Sequence, residues 1–143
     1  MKMQQEPNLR RTMMSQTKVF PAIGWVLTIA ITLFMLADVS FDLRQAPLAV
    51  HANAALGIPA NVVLPIGVAG LICTLLYLIP RSAMLGCILL SGFLGGAVMT
   101  HMRVNGSGWD MGENVLIGIL AWAGLWFRDE RIRMLLPIRR HEI

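Results

Sequence analysis

Charge is what this sequence has least of. Asp, Glu, Lys and Arg together make up 14% of its 143 residues, against about 25% in ordinary soluble domains. A soluble domain of this size leaves roughly a third of its unfolded surface in water, and so few charges beside 56% apolar residues would not cover it. An aqueous globule is therefore excluded, and lipid becomes the solvent to consider. Cysteine is scarce too. Cys73 and Cys87 form no C-x-x-C pair, so neither a redox dithiol nor a disulfide framework is expected. His51 and His101 fall in no H-x-x-x-H or E-x-x-H spacing, which leaves metal sites without a ligand set. P-loop, dinucleotide, nucleophile-elbow and haem motifs are all missing, so no resident cofactor and no catalytic residue is assigned. The net charge of +4 would suit nucleic acid. However, the basic residues flank apolar runs and no groove-reading motif accompanies them, so no nucleic-acid partner is expected.

The few charges are placed at the ends. Five lie in Met1 to Lys18, eight in Arg128 to Ile143, and seven in the 109 residues between. The chain reads as one membrane domain, residues 19–127, between basic tails at 1–18 and 128–143. Val19 to Ala37 carries no charge; at ~1.5 Å per residue it reaches about 28 Å, close to the thickness of a bilayer core and too long for the core of a signal peptide. Spans are expected at about 19–38, 58–79, 82–102 and 111–127. Pro59 and Pro65 fall near the start of the second, where a missing N–H is tolerated. Pro80-Arg81 ends it so sharply that the third must return as a tight antiparallel hairpin. The fourth has only 13 clean apolar residues, Val115 to Phe127. It spans only by drawing in Gly112, Glu113 and Asn114, which should then face protein or water. Between the first two spans, Gln45 to Gly57 reads as a short amphipathic helix with Pro47 in its first turn and Gly57 at its stop. The fold class is all-α: an integral-membrane four-helix bundle of up-down topology, with that short helix at the outer surface.

Orientation follows from the arginines and lysines. Lys2, Arg10, Arg11, Lys18, Arg81 and five C-terminal arginines put 10 of the 12 basic residues on one side, so both termini are expected in the cytoplasm. Tyr77 and Trp126 should mark the inner interface and Trp109 the outer one.

Helical spacing separates packing faces from candidate chemistry. Gly24, Thr28, Ile31, Met35, Asp38 and Asp42 share one stripe of the first helix. On the third, Leu89, Gly92, Gly96, Met99 and Arg103 do the same, with Gly92 and Gly96 as a small-xxx-small contact. Gly67 and Gly70, with Thr74 and Tyr77, supply the second helix, and Asn114, Ile117, Ala121 and Gly124 the fourth. The ionisable residues stand apart from these. Asp38 ends the first helix, His101 and Arg103 end the third, and Glu113 with Asn114 starts the fourth, so the topology gathers them at one depth on the outer side. The expected arrangement is an Asp38–Arg103 ion pair beside a polar pocket lined by His101, Glu113 and Asn114. Charges near hydrocarbon are relieved by pairing, by a polar cavity or by snorkelling. The cluster therefore either staples the rim of the bundle or binds a ligand or a proton, His101 being able to titrate near neutral pH.

Three stretches carry a resemblance. Leu75-Leu76-Tyr77-Leu78-Ile79-Pro80-Arg81-Ser82-Ala83-Met84-Leu85-Gly86, the run Leu90 to Arg103, and Trp122-Ala123-Gly124-Leu125-Trp126-Phe127-Arg128-Asp129 with Leu135 to Pro137 resemble the DoxX-like family of small bacterial membrane proteins. The resemblance covers most of Gly24 to Pro137 and leaves Met1 to Thr17 unmatched. It implies a four-helix bundle in a bacterial inner membrane, and the Thr100-His101-x-Arg103 end of the third helix matches the family pattern. Relatives in the wider DoxX and DoxD group are associated with membrane oxidoreductases, including thiosulfate:quinone oxidoreductase, whereas most DoxX-like members have no established reaction.

Three functions compete on these grounds. The first is an accessory or small-ligand-binding membrane subunit with its polar cluster at the outer face. The second is the membrane component of a quinone-linked oxidoreductase, in which quinone would be the cofactor and a partner would supply electrons. The third is a small-molecule transporter, disfavoured because four helices lack paired broken segments and enclose little pathway without forming a homo-oligomer. All three require a lipid bilayer.

Overall fold

The computed structural model describes the backbone of residues 5–135 and the side chains of residues 19–134. Six helices follow one another: α1 Gln5–Leu43, α2 Pro47–Ala55, α3 Ala60–Leu78, α4 Ala83–Arg103, α5 Gly108–Arg128 and α6 Glu130–Leu135. There is no strand among the described residues. The side chains of the N-terminal tail, and the residues after Leu135 with Arg139 and Arg140, lie outside them.

Three helices are long and apolar enough to cross a membrane: Val19–Leu43 within α1, Ala60–Leu78 and Ala83–Arg103. α5 is of similar length but does not reach that standard, in keeping with the short apolar run read from its sequence. Helix limits differ from expectation in three places. α1 runs past Asp38 to Leu43 and begins within residues 1–18; Arg128 belongs to α5; and Glu130–Leu135 forms a short helix within the basic C-terminal stretch. Pro47 stands at the N-terminus of α2, whose limits fall two residues inside the stretch proposed for it.

The turns explain where the helices stop. α1, α2 and α4 each end in a paired C-terminal cap whose C′ residue is left-handed: Gln45 at φ 48°, Gly57 at φ 74° and Asn105 at φ 53°. In each, the next amide reaches back five residues, Ala46 N to Phe41 O at 3.0 Å, Ile58 N to Asn53 O at 2.9 Å and Gly106 N to His101 O at 2.8 Å. These bonds satisfy carbonyls that a helix end otherwise leaves open. At the α3–α4 hairpin, Ile79 closes α3, and Ser82 donates its hydroxyl to Leu76 O at 3.0 Å. Ser107 caps α5 by accepting from Trp109 N at 3.1 Å.

α1 and α4 each pack against both α3 and α5, so the four long helices form a closed ring with α1 opposite α4 and α3 opposite α5. α2 lies across one end on α1 and α3. Met35, Tyr77, Leu90 and Leu125 are fully buried at the centre. Only 28–33% of each membrane-length span is buried. Val26, Leu33, Met99 and Ile119 are each at least 60% exposed, a surface that suits hydrocarbon and would not suit water.

Close approach falls at glycines other than those singled out on α4. A Cβ on Gly86 would strike the backbone of Leu76 and Tyr77, and one on Gly24 the backbone of Arg128. Gly67 sits against Asp42 and Leu43, and Gly70 against Val39 and Phe93. At Gly92 and Gly96 a Cβ would meet nothing within 4 Å. The expected Gly92–Gly96 helix contact is therefore absent: Leu89 and Met99 of that stripe point outward, and α4 buries Ala83, Gly86, Cys87, Leu90 and Leu94 instead.

Candidate functional site

At the end of the bundle covered by α2 lies a cavity of about 650 Å³, within the usual range for a small-molecule site. α1 gives it Asp38 and Asp42, one turn apart on one face. α5 gives Asp110, Glu113 and Asn114 from its first two turns, and α4 gives Thr100 and His101 from its last. α2 closes it with Ala49 and Asn53. Below this polar collar the wall is apolar, formed by Phe34, Met35, Ile66, Phe93, Leu94 and Ile117.

Hydrogen bonds fix part of the collar. Asn53 Nδ2 donates to Asp42 Oδ1 at 3.2 Å and to Ala49 O at 2.9 Å. Asn114 Nδ2 donates to Asp110 O at 2.7 Å, and Thr100 Oγ1 to Gly96 O at 2.8 Å. His101 Nδ1 lies 2.9 Å from Ala97 O. A carbonyl only accepts, so Nδ1 is the donor in this contact. Asp38, Asp42, Asp110 and Glu113 bring side chains of one acidic kind to the same collar.

The predicted residues are thus brought together with one exception. Asp38, His101, Glu113 and Asn114 all line the cavity; Arg103 does not. The Asp38–Arg103 pair is not the arrangement found. Arg103 Nη2 donates to Leu56 O at 3.0 Å, tying the end of α4 to the turn between α2 and α3. The cause is geometric: the cap at Asn105 ends α4 where Arg103 meets that turn, and Gly57 leaves room for the guanidinium, which stands 3.0 Å from where a Cβ would be. Asp42, Asp110 and Asn53 join the site without having been proposed for it. The i,i+4 spacing of Asp38 with Asp42 and the i,i+3 spacing of Asp110 with Glu113 were available signals. Nothing in the sequence announced Asn53, whose place depends on how α2 lies.

The opposite end holds a second polar group. Tyr77 is fully buried and does not sit in an interfacial belt; its hydroxyl donates to Ala121 O at 3.0 Å and lies 3.4 Å from Thr28 Oγ1. Arg128 Nη2 donates to Tyr77 O at 2.7 Å, with its guanidinium 5.0 Å from the Trp25 ring centre and 5.3 Å from that of Tyr77. Trp122 Nε1 donates to Ser91 Oγ at 2.9 Å, joining α5 to α4. Cys73 and Cys87 are buried free thiols. These contacts tie four helices together, the Trp122–Ser91 bond lying at the middle of α4. Among the described residues, no three His, Cys, Asp or Glu side chains are grouped to hold a metal ion.

Neither the curated proteins nor the solved structures compared with this chain give a match. One family model does match, that of the DoxX-like family, over residues 26–124. That stretch takes in most of the first membrane-length span, the whole of the other two and every carboxylate of the collar. With three helices able to cross a bilayer and most of the sequence within that match, this is a membrane protein that belongs to the DoxX-like family.

Proposed function

We propose that the chain is a multi-pass inner-membrane protein, a four-helix up-down bundle that binds a small ligand in the α2-covered cavity as an accessory or ligand-binding subunit. The observation that carries this reading is the cavity itself, about 650 Å³ with a polar collar over an apolar floor. Side chains that only stapled a rim would close on one another. Here Asp38, Asp110 and Glu113 line open volume with no hydrogen bond to their carboxylates among the described residues; of the two arginines expected on this side, Arg103 is bound to Leu56 O and Arg44 does not line the cavity. The basic tails favour both termini in the cytoplasm, with the cavity facing outward.

Native nanodiscs of the full chain, analysed by mass spectrometry for bound small molecules, quinones and protein partners, test the proposal. The control is Gly96→Leu, which adds a side chain at a position lining the cavity where a Cβ would meet nothing within 4 Å. A small molecule present with the natural chain and lost with Gly96→Leu is expected. An identical content in both would overturn the ligand-binding reading. Recovery of quinone with an oxidoreductase subunit would favour a quinone-linked enzyme component instead. A reporter fused at Gly106 checks orientation, and a cytoplasmic reporter would reverse it.

A further inference from the structure

Four carboxylates border the cavity and neither lysine nor arginine does. Acidic groups therefore outnumber the one imidazole, that of His101, four to one around the wall. Only one hydrogen bond to any of these carboxylates is formed among the described residues, from Asn53 to Asp42. Near hydrocarbon, an unpaired charge costs ~2.5–3.5 kcal/mol on insertion scales, so a ligand that supplied positive charge would bind while relieving it. A bare metal ion does not fit, because no three of the described acidic, His or Cys side chains converge. The charge is spread over a wide collar, and the floor beneath it is apolar, with the rings of Phe34, Phe41 and Phe93 among the lining groups. Aromatic faces attract cations within about 6 Å.

We infer that this cavity takes an amphipathic organic cation, a hydrophobic amine or quaternary ammonium. Its charge sits in the collar of Asp38, Asp42, Asp110 and Glu113, and its apolar body rests on the floor of Phe34, Phe93 and Ile117. The inference rests on the ligand-binding reading above and adds the sign and shape of the ligand. An anion of the same size would meet four like charges. A neutral lipid tail would fill the floor and leave the collar unpaired.

Two isosteric ions test it. Tetraphenylphosphonium and tetraphenylborate share one shape and differ in sign; each is equilibrated by dialysis with the full chain in dodecyl maltoside, protein-free micelles giving the background. The phosphonium is expected to bind at least about tenfold more tightly than the borate, the ratio that 1.4 kcal/mol of selectivity gives. Asp38→Asn/Glu113→Gln should weaken phosphonium about tenfold or more, leave the borate no weaker, and keep the helical content unchanged. Gly96→Leu should abolish phosphonium binding without touching any charge. Added phosphatidylethanolamine, but not phosphatidylglycerol, would displace the probe if the natural cation is a lipid amine; displacement by neither points to a free amine. Borate binding as tight as phosphonium, and blocked by Gly96→Leu, would overturn the cationic assignment while leaving the cavity as a binding site. Failure of both ions to bind above background would also overturn it. The ligand-binding reading then falls only if mass spectrometry finds the same content in natural and Gly96→Leu chains.

Discussion

Two glycines six residues apart on α4 should respond oppositely to the same methyl group. At Gly86 an added Cβ would meet the backbone of Leu76 and Tyr77, and backbone cannot rotate away as a side chain can. The α3–α4 hairpin must then open, although it is held by Ser82 Oγ to Leu76 O at 3.0 Å and by Gly86 N to Ser82 O at 2.8 Å. Opening it also displaces Tyr77, on which Ala121 and Arg128 depend. Overpacking of a filled site costs ~1–3 kcal/mol, and a backbone clash belongs at the upper end. At Gly92 the Cβ meets nothing within 4 Å. Alanine there gains roughly 0.5–1 kcal/mol of helix preference over glycine. The two variants should differ by about 2–4 kcal/mol, and 2 kcal/mol alone changes the folded-to-unfolded ratio about thirtyfold. Unfolding by dodecyl sulfate in mixed micelles, followed by far-ultraviolet circular dichroism, measures the difference. Gly86→Ala should unfold at lower, and Gly92→Ala at equal or higher, dodecyl sulfate fraction than the natural chain. Equal losses at both positions would refute the packing of α4 described above.

Other substitutions probe the remaining contacts. Tyr77→Phe removes the bond to Ala121 O and the neighbour of Thr28; a loss of ~0.6–1.7 kcal/mol, typical of hydrogen bonds between membrane helices, is expected in the same titration. Arg128→Met removes the bond to Tyr77 O and the stacking on Trp25. It should cost ~1–3 kcal/mol and shift Trp25 emission, read as the difference from a Trp25→Phe background. Arg103→Gln should raise hydrogen exchange in the turn at Leu56 to Ile58 while leaving global unfolding unchanged, because among the described residues its guanidinium bonds only that turn.

Much of the fold was legible because lipid imposes strict demands on a sequence. Every backbone group in hydrocarbon needs an internal partner, so apolar runs of the right length are helices. Pro47, Gly57, Pro59 and Pro80 then mark where those helices begin and end. The site was legible in part: Asp38, His101, Glu113 and Asn114 share a depth once the helices alternate in direction. Opposite charge at equal depth favours pairing Arg103 with Asp38, whereas the turn beside Arg103 offers it a carbonyl at 3.0 Å. Its place after the last apolar run marks Arg128 as a tail charge that sets orientation, yet it reaches back over Trp25 and Tyr77. Its long side chain covers a distance that counting along the sequence does not reveal.

The sequence by itself determined that the chain is helical, that its long helices are apolar enough for lipid, and their order, because charge and backbone geometry act locally. Only the tertiary structure decided which faces meet. A membrane helix is apolar on its lipid side and on its packed side alike, and small residues permit close approach without naming the partner. Gly86 and Gly92 therefore look equivalent along the chain. One lies against α3, and the other borders a cavity whose acidic collar comes from α1 and α5 and whose cover comes from α2.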